Sequence, residues 1–314
     1  AYRVAEDGRL FVDSLTGLLT NPWLVWQFAH NMTAAVVTGS FVMAAVGAFY
    51  LLAGQHLSHA KTYLRTGVVA GAIASVLMIS PTGHENARQV FEYQPIKGAA
   101  FEGLFRTERG ADIVLIGQPN VETMTIDNPL VIPSALSLLV YYDLYANVKG
   151  LDVFARQEWP DNIPLLYYSY HIMAGLGTIL VAVMGLALLW LWRGRLFEAN
   201  WLLWLLMLSV PFPYIATTAG WMTAELGRQP RAAKKFFEKY QDRILFGKDS
   251  WVPEEYATYF RVLETEDEYF PYHKKYHAFW AMYGMGLPDD ILKKIYYKNA
   301  LRIITASIRA ASAP

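Results

Sequence analysis

The chain of 314 residues contains no cysteine, which excludes disulfide bonds, thiolate metal sites and thiol-based catalysis. It has no excess charge of either sign, because 27 Lys and Arg balance 27 Asp and Glu. This balance gives no electrostatic reason to expect nucleic acid as a partner. The start lacks a signal-peptide pattern and begins with Ala1 rather than methionine, so we expect a fragment or a processed chain.

Charged residues are scarce over most of the chain, which is the first indication of a membrane protein. Residues 231–314 hold 25 of the 54 charged residues, and the first 230 hold the other 29. Charge density therefore more than doubles at residue 231. This step predicts a boundary between a membrane domain, residues 1–230, and a soluble tail, residues 231–314.

Four stretches lack Asp, Glu, Lys and Arg for long enough to cross a bilayer, which takes about 20 helical residues. They are residues 14–60, 66–84, 162–192 and 199–224. Pro81 and Gly83 are expected to end the second helix early. The sequence thus predicts a mainly α fold, with a transmembrane bundle of about four helices, a polar extracytoplasmic loop and a small soluble α/β-like C-terminal tail.

Basic residues between the spans predict their orientation. The connection between the first two spans carries Lys61 and Arg65, and the one between the last two carries Arg193 and Arg195. By the positive-inside rule both connections face the cytoplasm. The loop of residues 85–161 then lies outside.

The most informative motif closes the last apolar span. It reads Gly220-Trp221-Met222-Thr223-Ala224-Glu225-Leu226-Gly227-Arg228-Gln229-Pro230. Ionisable groups at membrane depth are costly and usually mark a site, so Glu225 is a functional candidate. Arg228 lies three residues later on the same helical face, where its charge would keep the Glu225 carboxyl ionised.

This motif resembles the signature near the end of subunit I of cytochrome bd quinol oxidases, although that signature ends in Trp where this chain has Arg231. The resemblance implies that Glu225 ligates a haem and that Trp221 packs against the macrocycle. It also places Arg228 and Gln229 at the same cofactor.

His30 and Met173 form a second candidate pair, each inside an uncharged span. Alone, either residue is more often structural than a ligand. Together, His and Met axial ligands suit a low-spin haem that only passes electrons, because both axial positions of the iron are filled. The resemblance implies this role for both residues. Small residues would leave room for the macrocycle between the helices: Ala34, Ala35, Gly39, Gly175 and Gly177.

His171 lies two residues before Met173, so on a helix their side chains point about 200° apart and cannot both face one iron. Some relatives carry Arg at this position, and the resemblance implies that His171 influences the charge state of the haem. A hydrogen bond to the backbone or to a haem propionate is the alternative.

The loop of residues 85–161 is too polar to cross the membrane and too long for an ordinary connection, so we expect it to bind a ligand. It contains Lys97 and Glu102, a base and an acid that would point about 140° apart on a helix beginning at Pro95. Such residues are most often solvated surface. The resemblance places them in the family's Q-loop, which implies that Lys97 and Glu102 act on quinol.

The resemblance covers residues 1–230 and begins late. Known subunit I chains carry further membrane helices before the region that matches Asn21 onward, and those helices hold the His ligand of another haem. We therefore expect this chain to supply the site of the low-spin haem b and one ligand of the oxygen-reducing pair, a high-spin haem b with haem d in the complete complex.

Residues 231–314 have a pattern different from that of the membrane domain. Residues 243–249 read as a short buried strand ending in Asp249, and Pro288 opens an amphipathic helix. This region resembles the C-terminal end of a metal-dependent amidohydrolase barrel, which implies that Asp249 contacts metal and substrate. The earlier strands are absent, so we do not expect a working hydrolase. His273 and His277 could bind a metal, but their aromatic and basic context argues against it.

The sequence thus predicts part of a quinol:oxygen oxidoreductase, an enzyme of the respiratory chain in a bacterial or archaeal cytoplasmic membrane. Its expected partners are quinol, oxygen, subunit II and lipid. Electrons would pass from quinol at the outer loop to haem b and on to the oxygen-reducing haems. Two alternatives stay open: a stand-alone b-haem electron-transfer membrane protein, or, for the tail alone, a remnant of an amidohydrolase.

Overall fold

The structure is a computed structural model that describes residues 2–4, 10–12, 14–227, 230–248, 251–267, 270–271 and 281–311. The chain divides into two compact units, Ala1–Gly227 and Arg228–Pro314.

Helices dominate the first unit. They are α1 (Leu15–Leu19), α2 (Pro22–Leu52), α3 (Leu57–Leu77), α4 (His84–Tyr93), α5 (Pro95–Glu102), α6 (Ala135–Tyr141), α7 (Ile163–Trp192), α8 (Asn200–Leu208) and α9 (Pro211–Leu226). Its short strands are β1 (Tyr2–Val4), β2 (Leu10–Val12), β3 (Glu108–Arg109), β4 (Ile113–Asn120), β5 (Thr125–Ile132) and β6 (Asn147–Val148). They form three antiparallel pairs, β1 with β2, β3 with β6 and β4 with β5.

Four helical segments are long and apolar enough to cross a membrane. They are Trp23–Leu52, Leu57–Tyr93, Ile163–Trp192 and Asn200–Leu226. The predicted bundle of about four transmembrane helices is therefore confirmed.

The two longest helices begin at residues that the sequence provides for that purpose. The Asn21 side chain accepts a hydrogen bond of 3.1 Å from the Trp23 backbone nitrogen, and Pro22 opens α2. The Asn162 side chain accepts one of 3.0 Å from Leu165, and Pro164 lies in the first turn of α7. Asparagine at the N-cap satisfies an otherwise unpaired backbone donor, and proline is tolerated there because its position needs no donor.

Helices α2 and α3 pack so closely that two positions admit only glycine. A Cβ on Gly47 would lie 2.6 Å from the Leu64 backbone nitrogen, and one on Gly67 would lie 2.6 Å from that of Ala44. Small residues give membrane helices this close approach, because dispersion contacts hold them together where lipid supplies no hydrophobic drive. The core behind this contact includes Phe41, Leu180, Met184, Leu202 and Leu206.

The second span is interrupted near Pro81, as predicted, and a further helix follows the interruption. Helix α3 ends at Leu77, a π-helical turn follows over Met78–Gly83, and α4 resumes at His84. Ser80 within this turn has an extended backbone, so a kink separates α3 from α4 just before Pro81.

The predicted position of Lys61 and Arg65 in the connection between the first two spans is wrong. Lys61 and Arg65 lie within the first turns of α3, and the connection itself is residues 53–56. The Lys61 ammonium lies 5.7 Å from the centre of the Phe197 ring, so this end of α3 meets the turn between α7 and α8. The basic residues of both connections therefore lie at one end of the bundle, which agrees with the predicted orientation.

The segment between α4 and α7 forms a small core of its own at the other end. Buried residues there include Phe101, Leu104, Val148, Leu151 and Leu166. Helix α6 buries Leu136 and Val140 and exposes Leu138 and Leu139, so it covers this core with one face.

The second unit contains α10 (Pro230–Tyr240), α11 (Pro253–Glu264), β7 (Phe270–Pro271), β8 (Ala281–Met282), α12 (Asp289–Lys293) and α13 (Asn299–Ala311). Leu263, Leu287, Ile291 and Ile295 form its core. The helix predicted to open at Pro288 is therefore confirmed.

The strand predicted over residues 243–249 is wrong for the part that the structure describes. Residues 244–248 are irregular, and their backbone meets a neighbour through the hydrogen bond from Phe246 to Ile295 at 2.9 Å. A strand needs a partner strand, and none lies beside this stretch among the described residues. Asp249, His273 and His277 lie outside the described residues, and the amidohydrolase resemblance stays a prediction.

Candidate functional site

The candidate residues of the first unit collect near one end of the bundle. His30 lies eight residues after the start of α2 and Met173 ten residues after the start of α7. At 1.5 Å per residue these positions are about 12 and 15 Å from the helix ends. Glu225 is the last residue but one of α9, which packs against α7 and α2.

The His30 ring is held by the bend between α3 and α4. Its Nδ1 lies 3.1 Å from the Met78 carbonyl oxygen. A carbonyl only accepts, so Nδ1 carries the proton and donates it, which leaves the lone pair on Nε2. Histidine ligands of metals typically have their second nitrogen hydrogen-bonded in this way. The side chain therefore fits an iron-ligating role through Nε2.

Met173 reaches towards α9. Its sulfur lies 2.7 Å from the place that a Cβ on Gly220 would occupy, so the thioether rests directly on the helix that carries Glu225. The candidate ligands His30, Met173 and Glu225 thus lie on three helices, of which α9 packs against both α2 and α7.

The small residues near these ligands leave open space. A Cβ added to Gly39 or Gly175 would meet no atom within 4 Å, and one on Gly177 would meet only the Met78 methyl group, at 3.7 Å. Gly39 and Gly175 are exposed, so the empty space beside them does not by itself define a pocket for a macrocycle.

His171 is hydrogen-bonded to the backbone on both sides. Nδ1 lies 2.8 Å from the Tyr167 carbonyl oxygen and Nε2 lies 2.8 Å from that of Val114 in β4. Its ring stacks on the Tyr167 ring, with centroids 3.8 Å apart. Neither nitrogen is available to an iron in this arrangement, so His171 ties α7 to the β4–β5 hairpin.

Glu102 is the last residue of α5 and is only 6% exposed. Gly103 follows with φ of 69°, a left-handed conformation that glycine adopts at little cost and that ends the helix. Burial raises the pKa of Glu102 to about 7, while the Tyr170 hydroxyl acts as a hydrogen-bond donor to the carboxylate and opposes that rise. The carboxyl therefore titrates near neutral pH, where it can take up or release a proton.

Tyr170 contacts the candidate residue Glu102, and the sequence contains no sign of this contact. Its ring stacks on Phe101, with centroids 4.1 Å apart and an interplanar angle of 24°. This stacking holds the hydroxyl at the neighbouring Glu102. Nothing in the sequence relates Tyr170 to a residue 68 positions earlier.

Tyr167 lies beside the same carboxyl. Its hydroxyl is buried without a hydrogen-bond partner in the described part of the chain. Its ring lies 3.0 Å from the position that a Cβ on Gly103 would take, next to Glu102. A buried hydroxyl without a partner is costly, so it fits a site where a polar ligand can bind.

Lys97 extends from α5 to the end of α9. Its ammonium donates a hydrogen bond of 3.2 Å to the Ala224 carbonyl oxygen. This contact joins the outer segment to the motif that carries Glu225. Lys97 and Glu102 both lie on α5, so the helix predicted to begin at Pro95 is present.

The structure describes Trp221 and Glu225 of the motif but not its last residues. Glu225 is half-buried, and the Trp221 side chain is 48% exposed. Arg228 and Gln229 lie outside the described residues, so their predicted roles stay predictions.

Comparison with known proteins places this arrangement in a family. The family model for cytochrome bd terminal oxidase subunit I matches residues 1–241. The chain is 30% identical over 236 residues to the cytochrome bd ubiquinol oxidase subunit 1 of Bacillus subtilis, covering 72% of this chain and 50% of that protein. It is 32% identical over 219 residues to a putative cytochrome bd menaquinol oxidase subunit I of the same organism, covering 67% and 48%.

A solved structure agrees with the sequence matches. The bd oxidase from Geobacillus thermodenitrificans is similar with a TM-score of 0.64 and 30% identity, over 73% of this chain and 52% of that one. The fold is therefore that of a membrane-embedded oxidase subunit. The chain belongs to the cytochrome bd terminal oxidase subunit I family.

Membership confirms the resemblance drawn from the Glu225 motif and carries the expectation of haem cofactors in a membrane setting. The chain spans about half the length of the curated relatives it matches.

Proposed function

We propose that this chain is part of a respiratory quinol:oxygen oxidoreductase, acting with subunit II in a bacterial or archaeal cytoplasmic membrane. The observation that carries the proposal is the hydrogen bond between Lys97 on α5 and Ala224 on α9. It joins α5, which carries Lys97 and Glu102, to the motif of Glu225, and this contact supports a quinol site near the bundle end of His30 and Met173.

The ligand assignment follows from the donor set. His30 and Met173 are proposed to hold the low-spin haem b, and Glu225 to hold a haem of the oxygen-reducing pair, a high-spin b with haem d in the complete complex. Haem supplies reversible one-electron chemistry when bound. The Met78 carbonyl orients the His30 ring, and Gly220 makes room for the Met173 side chain.

Quinol oxidation releases two protons as the ring loses two electrons, so the site needs a donor to a ring oxygen and a base. Lys97 is the proposed donor, because its ammonium carries only protons to give. Glu102 is the proposed base, because burial raises its pKa to about 7 and so matches the acceptor to neutral pH. Tyr170 holds the Glu102 carboxylate ready to accept.

The test is a comparison of Glu102→Gln with Glu122→Gln in the assembled oxidase. Glu122 is exposed in the turn after β4 and serves as the matched control. We expect Glu102→Gln to slow quinol oxidation by about 100-fold or more, the usual size of a general-base contribution, with the haem spectrum unchanged. Oxygen uptake from an artificial donor that bypasses quinol should persist. Equal quinol kinetics in the two variants would refute the assignment.

A further inference from the structure

Gly227 occupies a position where the backbone does not require glycine. It follows the last residue of α9 with φ of −78° and ψ of −9°, the ordinary right-handed conformation that any residue adopts. Gly103, by contrast, has a positive φ that explains its glycine. The backbone conformation therefore does not explain this glycine.

The side chain of Lys97 occupies the space beside Gly227. A Cβ on Gly227 would lie 2.6 Å from Cδ and 2.7 Å from Cγ of Lys97, and it would also touch Cε. The whole apolar stem of Lys97 thus crosses the bare backbone of Gly227. Beyond it the ammonium reaches the Ala224 carbonyl oxygen at 3.2 Å.

We propose that Gly227 is a positioning residue for quinol oxidation, because its missing side chain forms the groove that holds the Lys97 stem and fixes the ammonium at the end of α9. The inference rests on the proposed role of Lys97. It goes beyond that role by naming Gly227, at the end of α9, as the residue that positions the Lys97 side chain. Gly227 itself touches no reacting atom.

The physical reason is the flexibility of lysine. A lysine stem has several rotatable bonds, and holding its ammonium in one place costs conformational entropy. Packing the stem along a groove restricts those bonds before quinol binds. The carbonyls at the C-terminal end of a helix also attract a cation. An alanine at position 227 would push aside a flexible side chain rather than backbone, so we expect a displaced Lys97 and an intact fold.

The experiment uses the assembled oxidase with Gly227→Ala, Lys97→Met and the double variant. Gly185→Ala is the control, because a Cβ there would meet nothing within 4 Å. Three quantities are measured: kcat and KM for quinol, the haem absorption spectrum, and the rate at which an amine-acylating reagent labels Lys97 by mass spectrometry.

We expect Gly227→Ala to lower kcat/KM for quinol by about 10- to 100-fold, the loss that a displacement of about 1 Å can cause. Labelling of Lys97 should quicken, and the haem spectrum should match that of Gly185→Ala. In the Lys97→Met background the same alanine should add little, because residues that act through one another are not additive.

Unchanged Lys97 labelling, or a full additional loss in the double variant, would overturn the inference. A loss of haem in Gly227→Ala would overturn it as well, because the residue would then act on the cofactor. If Lys97→Met leaves quinol kinetics unchanged while Gly227→Ala still quickens labelling, the groove stands and the proposed function of Lys97 fails.

Discussion

Replacing Tyr170 with Phe removes the hydroxyl at Glu102 and keeps the ring that stacks on Phe101 at 4.1 Å. Burial raises the pKa of Glu102 to about 7 against the opposing effect of this hydroxyl. Without the hydroxyl the ionised carboxylate loses a donor, so the pKa of Glu102 should rise further. The substitution therefore changes the charge balance of the site with little change in packing.

The size of the effect follows from the hydrogen bond. A bond to a charged group contributes about 1.5–3 kcal/mol, and a tenfold change corresponds to about 1.4 kcal/mol, so the pKa should rise by about 1–2 pH units. If ionised Glu102 accepts the proton, the acid side of the rate profile should move from about pH 7 to about pH 8–9. At pH 7 quinol oxidation should then fall by about 5- to 50-fold, and the difference should narrow as the pH rises.

The assay is quinol oxidation by the assembled oxidase between about pH 5.5 and 9.5, with haem content measured in parallel. Tyr168→Phe is the matched control, because Tyr168 lies on the same helix and is exposed. An acid limb that stays in place, or a loss that is equal at every pH, would refute the role of Tyr170 on Glu102.

Three further predictions concern separate parts of the chain. His30→Ala or Met173→Ala should abolish the low-spin haem b signal in a reduced-minus-oxidised spectrum while the chain still inserts into the membrane; an unchanged spectrum would contradict the ligand assignment. Between pH 4.5, the ordinary pKa of a Glu carboxyl, and about pH 7, Glu102 binds more protons in the native state than in the unfolded state. The contribution of Glu102 to the free energy of unfolding therefore falls as the pH rises through that window. Glu102→Gln should therefore increase the free energy of unfolding at pH 8 by up to about 3 kcal/mol relative to the native chain. The thermal midpoint at pH 8 should rise accordingly, and the two midpoints should coincide near pH 4.5. Gly67→Ala should destabilise the α2–α3 contact by about 1–3 kcal/mol, whereas Gly185→Ala should not; equal thermal midpoints of the two variants would show that the close contact is not essential.

Much of the architecture could be predicted because it depends on local composition. Long charge-free stretches predict membrane helices, since backbone groups in lipid must be satisfied within the segment itself. Asn21 and Asn162 mark where two of these helices begin. The interruption near Pro81 could be predicted because proline disrupts a helix, but the sequence does not show that a further helix follows it.

The candidate site was predictable only as a set of residue types. The motif around Glu225 and the isolated His30 and Met173 stand out because ionisable or coordinating side chains are rare in apolar spans. Their placement on neighbouring helices is a property of packing. The strand predicted at residues 243–249 is wrong because packing also decides whether a partner strand lies beside a segment, and a strand forms only where one is present.

Four membrane spans, a polar outer segment and the family signature can all be read from the order of residues, because hydrophobicity and motif spacing are local properties of the chain. The contact of Tyr170 with Glu102 and the packing of the Lys97 stem on Gly227 are visible only in the folded chain. Those contacts join residues 68 and 130 positions apart, and such pairs are set by how helices pack rather than by the order of residues. A buried carboxyl with a pKa of about 7 is therefore a product of the fold, because desolvation depends on what surrounds a group.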